Sequence, residues 1–260
     1  MPFEDLGPLR VFRFESLPSN GIVHGIFTRR GGVSPAPWAS LNLGAMVGDD
    51  LARVQANRRL ALQALGRTPH SVFEVWQVHS AEVIVASEPR GDAPPQQADA
   101  ILTGRPEVTL MMRFADCVPI LLYDPARHAV GMVHAGWLGT VRQVLRVAVR
   151  QMMERFGTSP SDLRAGIGPS IAAHHYPVGL EVVEAFRAAF GASAEAHLAP
   201  GENGTHLDLW SANEQLLREE GVRQVEIARV CSACATDDWY SHRAERGRTG
   251  RFGAVIALAA

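Results

Sequence analysis

The stretch TLMMRFADCVPILLYDPARHAVGMVHAGWLGT, residues 109–140, decides the fold class. It holds three β-rich runs, Thr109–Phe114, Pro119–Tyr123 and Ala129–His134, in which apolar residues follow one another with few polar breaks. Residues 115–118 and 124–128 join them, and neither link has room for the crossover of about a dozen residues that parallel neighbours need. Antiparallel or mixed sheets are expected rather than a doubly wound parallel sheet. After His134 the turn AGWLGT leads into a helical pattern over 140–156, with Val141, Val144, Leu145, Ala148 and Met152 on one face and a stop at Gly157.

The same two patterns recur outward from this stretch. Ile22–Thr28, Val72–Val78, Val83–Val85, Leu163–Ile167, Val225–Val230 and Ala254–Leu258 read as strands. Asp50–Leu65, Leu180–Phe190 and Ser211–Glu220 read as helices that close on Gly66, Gly191 and Gly221. Strands outnumber helices, so the class is α+β: mixed and antiparallel sheets packed with flanking helices. Ser87–Asp99 carries three prolines and few apolar residues, yet strands resume on both sides, which makes it a surface loop and leaves residues 1–260 as a single domain.

Composition narrows the chemistry. The 260 residues are 47% hydrophobic and 20% charged, the ordinary range of a folded globular chain. A chain this long buries a core large enough to need no structural metal or disulfide. The net charge of −2 and the absence of a long basic run argue against nucleic acid as a partner. All 25 basic residues are Arg, and without a Lys there is no Schiff-base chemistry and no Walker-type phosphate loop. Three unevenly spaced cysteines do not form a secreted disulfide framework, and no amino-terminal signal pattern or spanning apolar run is visible, so a cytoplasmic, non-membrane protein is expected.

Three borderline-soft ligands occupy similar places in the pattern. His79 ends the strand-like VFEVWQVH, Cys117 follows LMMRFADC, and His134 ends AVGMVH. If those strands lie side by side, two imidazoles and a thiolate meet at one rim, giving zinc three protein ligands and an open fourth position. The bland alternative is a buried thiol and two hydrogen-bonded histidines. Small residues in the turn after His134, Gly136 among them, would let backbone approach a ligand, with the following helix terminus facing an anion. The Gly166–Ser170 turn is of the same kind. Cys231-Ser232-Ala233-Cys234 has no second cysteine pair to close a tetrahedral site, and His174-His175 are adjacent residues expected to diverge. Neither Cys231 nor Cys234 is therefore expected to bind metal; packing of small thiols is the expected use.

Taken together, QVHS (77–80), ADCVPILLYD (115–124), VGMVHAGWLGT (130–140), GIGPSI (166–171), the tail C-S…YSHR…TGR (231–251) and FTRRGGVS…SLNLG…VGDD…NR (27–59) resemble the YfiH family, also called the multicopper polyphenol oxidase or laccase-like family. The resemblance runs nearly end to end. It implies a YfiH-like fold and a zinc-dependent purine nucleoside enzyme, with adenosine deaminase activity and phosphorylase activity on adenosine, inosine and methylthioadenosine. It places the metal ligands on His79, Cys117 and His134, the same residues reached from the strand ends. Peptidoglycan-precursor editing is attached to some members, and the laccase name implies copper. The chain departs at Leu138, where the family commonly carries Arg.

The primary expectation is metal-assisted attack of water on adenine C6, with Asp116 as the nearest carboxylate for a proton shuttle and Arg59, Arg113 and Gly136 as substrate or phosphate contacts. Zinc is favoured over copper, because blue-copper sites add a weak axial ligand for which the sequence offers no clear candidate. A metal-free cysteine hydrolase, with Cys117 as nucleophile and His134 or His79 as base, uses the same residues. A non-catalytic scaffold would leave them without a role.

Overall fold

Apolar residues crowd both faces of the central strands, and a computed structural model, describing residues 2–18 and 20–259, gives the reason. One six-stranded sheet runs Phe3–Leu6, Leu9–Phe12, Ile22–Phe27, Phe252–Leu258, Thr109–Phe114, Val72–Phe73 in spatial order. A second runs Gln224–Ile227, Arg164–Ile167, Val118–Asp124, Ala129–Ala135, Ala100–Thr103, Val83–Val85, and a three-stranded ribbon joins Pro177–Val178, Gly204–Leu207 and Leu198–Gly201. Most neighbours are antiparallel; the outer pairs 72–73 with 109–110, 83–85 with 100–102 and 164–167 with 224–227 are parallel. The α+β expectation and its mixed sheets stand.

The two large sheets pack face to face. Leu110, Met112, Phe114 and Ile256 of one meet Leu121, Tyr123, Val130 and Met132 of the other in a shared core. Five helices are described: α1 (Leu51–Ala64), α2 (Trp137–Val141), α3 (Val144–Phe156), α4 (Leu180–Phe190) and α5 (Leu209–Glu219). Leu62 of α1 joins Met111 and Val255 on the outer face of the first sheet, while α3, α4 and α5 cover Ile120, Leu122 and Val133 of the second. Strands covered on both faces read as continuous apolar runs, which is what the sequence displays. No described helix is long and apolar enough to cross a membrane.

Three details differ from the sequence reading. The helix expected over 140–156 is two helices, because Gln143 takes a left-handed backbone (φ 60) between them. The strand expected over 72–78 stops at Phe73. Beyond it the buried Glu74 carboxylate gathers Arg58, Arg90 and Arg113, and the Gln77 side chain pairs with Arg113, accepting from its N (3.0 Å) and donating to its O (2.8 Å). A side chain thus takes the place of a ladder partner. The four-residue strands Phe3–Leu6, Leu9–Phe12 and Ala100–Thr103 and the 198–207 hairpin were not expected; each is too short for a periodic signal.

His24, in the strand Ile22–Phe27, is 2% exposed. Its Nε2 accepts from Phe14 N at 3.1 Å and its Nδ1 is buried without a partner. Burial, with the nearby Arg13 charge, pushes its pKa down to about 4. The folded state therefore favours the neutral ring. Stability is intact above the unfolded pKa of about 6.5 and is lost as pH falls from there towards 4, by about 3 kcal/mol for this group at the end of the interval. Denaturant titrations at pH 7, 5.5 and 4 on the wild type and His24→Gln test this. The stability of the wild type relative to the variant should fall across the series; parallel behaviour would contradict a neutral His24.

Candidate metal centre

His79, Cys117 and His134 converge at one end of the packed sheets. One ligand atom from each lies within 4.8 Å of the others. His79 Nε2 is 3.8 Å from Cys117 Sγ, and the two imidazole centroids are 4.9 Å apart. The elements that bring them there differ from the expected row of carboxyl-terminal strand ends. His134 does sit near the end of its strand, on the inward parity that puts its ring 5.5 Å from Phe114. Cys117 lies in the turn that carries the chain from one sheet to the other and precedes its strand. Because Val118 pairs with Ala135 and Pro119 with His134, an amino-terminal end meets a carboxyl-terminal one. His79 stands on an irregular segment with φ 59.

Asp99, fully buried and unnoticed in the sequence, organises the three. Its Oδ1 is 2.8 Å from His134 Nδ1, which fixes the Nδ1–H tautomer and leaves Nε2 free as a ligand. Its Oδ2 accepts from Ser80 N (2.6 Å), Ser80 Oγ (2.9 Å) and Val78 N (3.2 Å), the residues on either side of His79. Its carbonyl accepts from His134 N at 2.8 Å. Burial raises the carboxyl pKa, but the His134 bond and charge and the Ser80 donors outweigh it and hold the group at about 2. The same opposition acts on the other two groups. Burial raises the Cys117 thiol, yet the His134 charge and bonds from both imidazoles bring it down to about 6. Burial lowers His134, yet the Cys117 charge and the Asp99 bond lift it to about 9.

The remaining expected residues are distributed unevenly. Gly136 belongs to the centre: a Cβ there would stand 2.8 Å from Cys117 Sγ and 3.1 Å from His79 Cδ2, so only glycine lets the backbone pass. The α2 that follows has five residues, too short a dipole to make an anion site. Asp116 adjoins Cys117 in a left-handed conformation (φ 82), and both its oxygens are engaged, Oδ1 by Ser232 Oγ at 2.7 Å and Oδ2 by Arg243 N at 2.7 Å. Arg113 is held by Glu74 and by Val75 O, and Arg59 is exposed on α1.

Other groups flank the centre instead. Arg142 Nη1 donates to His79 O at 2.7 Å. Burial lowers the Arg251 pKa, while the charges of Cys117 and Asp116 act in the opposite direction, placing its guanidinium in their field. Tyr176 is held as a neutral phenol, raised by burial and by the Cys117 charge, with Arg243 5.0 Å over its ring. Arg243 and Arg251 close the YSHR and TGR runs of the tail, whereas Arg142, eight residues after His134, and Tyr176 had no local sequence signal.

Comparison with known proteins agrees with this architecture. The family model described as "Multi-copper polyphenol oxidoreductase laccase" matches residues 23–259. A purine nucleoside phosphorylase of Deinococcus radiodurans is 39% identical, over 93% of this chain and 91% of its own. Purine nucleoside phosphorylase YlmD of Bacillus subtilis is 35% identical, over 91% and 88%. The crystal structure of YlmD from Geobacillus stearothermophilus superposes with a TM-score of 0.93 at 31% identity, covering 100% of this chain and 99% of that one. That of Bacillus licheniformis YfiH gives 0.91 at 31%, covering 99% of each.

The centre's dependence on its supports is measurable by zinc competition. Asp99→Ala should weaken zinc binding at this centre by roughly 10–100-fold, the usual effect of losing a carboxylate behind a ligating histidine. Gly136→Ala should do likewise by displacing Cys117 and His79, with circular dichroism unchanged in both. Wild-type affinity in the two variants would mean that neither residue shapes the centre.

Proposed function

The chain belongs to the multi-copper polyphenol oxidoreductase laccase family, and from that premise we propose that it is a zinc-dependent purine nucleoside enzyme, cleaving nucleosides with phosphate and deaminating adenosine. The observation that carries this reading is the His79–Cys117–His134 cluster with Asp99 behind it. Two imidazoles and a low-pKa thiol are zinc donors, three of them leave a position open, and a carboxylate-oriented histidine is the usual support of such a site. Zinc held there would supply Lewis-acid chemistry, lowering the pKa of a water to about 7.

The rest falls to the chain's own side chains. Asp99 keeps His134 in one tautomer and the His79 segment in place, so the donors need no rearrangement. Arg142, Arg243 and Arg251 are the cations for an anionic co-substrate. Arg142 replaces in charge what Leu138 lacks, for it follows one turn later, its N donating to Leu138 O at 3.0 Å. Tyr176, kept protonated, is a hydrogen-bond donor at the wall beside Cys117. Asp116 holds Arg243 at that wall through Arg243 N, and each of its oxygens keeps a lone pair for a proton. In phosphorolysis the bond between ribose C1 and the purine nitrogen breaks and the ribosyl group passes to phosphate; in deamination water oxygen replaces the C6 amine and ammonia leaves.

Cys117 Sγ stands 3.8 Å from His79 Nε2, and against burial the His134 charge draws its thiol down to about 6, which supports a second reading, a cysteine hydrolase without metal. The two readings part on metal dependence. Adenosine should give inosine without phosphate, inosine should give ribose 1-phosphate with it, and both activities should vanish in Cys117→Ala and after chelation, returning with added zinc. Undiminished deamination in verified metal-free protein would reject the zinc mechanism and favour the cysteine hydrolase. Zinc-loaded protein inert towards every purine nucleoside would remove the substrate assignment.

A further inference from the structure

His174, His175, Cys231 and Cys234 form a second cluster, with one ligand atom of each within 4.8 Å of the others. By sequence, Cys231 and Cys234 lack a second cysteine pair, and the adjacent histidines are expected to diverge. The structure answers both. The histidines supply the second pair, and they converge by using different nitrogens: His174 presents Nε2, 3.0 Å from Cys234 Sγ, while His175 presents Nδ1, 3.4 Å from Cys234 Sγ and 3.6 Å from Cys231 Sγ. The two rings are 4.6 Å apart.

We propose that these four side chains form a second, closed zinc site. With Zn–S about 2.3 Å and Zn–N about 2.0–2.1 Å, tetrahedral angles set a sulfur and a nitrogen about 3.5 Å apart, and the observed separations bracket that value. Two sulfurs and two nitrogens in this arrangement select zinc over the hard cations. All four positions are taken by protein, so the ion has no open position for a reactant, and its role is structural. Cys231 is buried, and Ala172 N donates to its sulfur at 3.4 Å; His174, His175 and Cys234 are exposed, which gives the ion a way in.

What the ion would clip together bears on the first centre. The turn Ala173–His175 and the turn 231–234 lie more than fifty residues apart in sequence, joined otherwise by a short bridge in which Ser232 N donates to Ser170 O at 3.0 Å and Ser170 N to Val230 O at 3.1 Å. Both turns lean on Asp116: Ile171 N donates to its carbonyl at 3.0 Å, and Ser232 Oγ to its carboxylate. Tyr176 directly follows the histidine pair. Zinc here therefore fixes the wall beside Cys117 without touching a reactant.

Metal counting on Cys117→Ala, in which the first centre is already disabled, isolates the second and is independent of any nucleoside activity. The wild type should carry about two zinc ions per chain, Cys117→Ala about one, and Cys117→Ala with Cys234→Ser and His174→Ala about none. Cobalt in Cys117→Ala should give the visible bands of a tetrahedral ion and near-ultraviolet thiolate charge transfer. Should the triple variant fail to fold, iodoacetamide mapping of Cys117→Ala decides: zinc should protect Cys234, the exposed cysteine, at least tenfold. No zinc in Cys117→Ala, zinc retained undiminished in the triple variant, or alkylation indifferent to zinc would overturn the proposal.

Discussion

A carboxylate with no access to water governs the centre. Burying Asp99 is costly unless its charge finds donors, and it finds four, three on one oxygen from the segment that bears His79 and one on the other from His134. Each of these bonds would form to stabilise the carboxylate alone. Their joint consequence is that two imidazoles from segments 55 residues apart in the chain face the same thiol, one with its tautomer set. The irregular backbone at His79 persists because both its neighbours are tied to Asp99 Oδ2.

The sheets supply the rest of the frame. Cys117 stands where the chain leaves one sheet and enters the other, so its position is set by the packing of both, and the left-handed Asp116 makes the turn. Ser232 and Arg243 bond to that same Asp116, which draws the carboxyl-terminal quarter of the chain against the centre. Arg243 and Arg251 arrive beside Cys117 by this route. A second ion at the 174–175 and 231–234 turns would brace the same wall from outside.

The apolar runs around 109–135 were legible because strands covered on both faces leave an unbroken signal, and the helices because their caps are local: Asp50, for example, accepts from Arg53 N at the start of α1. His79, Cys117 and His134 were legible as residue types near the ends of those runs. Asp99 was not, since it sits at the end of a Pro-rich loop and nothing nearby marks its burial. The cluster of His174, His175, Cys231 and Cys234 was passed over for a similar reason, as which ring nitrogen faces a partner is decided by backbone conformation in a turn. Arg113 and Arg59 show only their charge in the sequence; the competing attraction of Glu74 for Arg113 appears only when residues 74–77 leave the ladder.

Anomalous diffraction at the zinc edge, on crystals of the zinc-loaded protein, tests the Asp99-centred arrangement most directly. A peak about 2.0–2.3 Å from His79 Nε2, His134 Nε2 and Cys117 Sγ, with His134 Nδ1 still bonded to Asp99, is the predicted result. Saturating zinc with no peak among these three atoms, or a peak bound through His134 Nδ1 with Asp99 released, would contradict it.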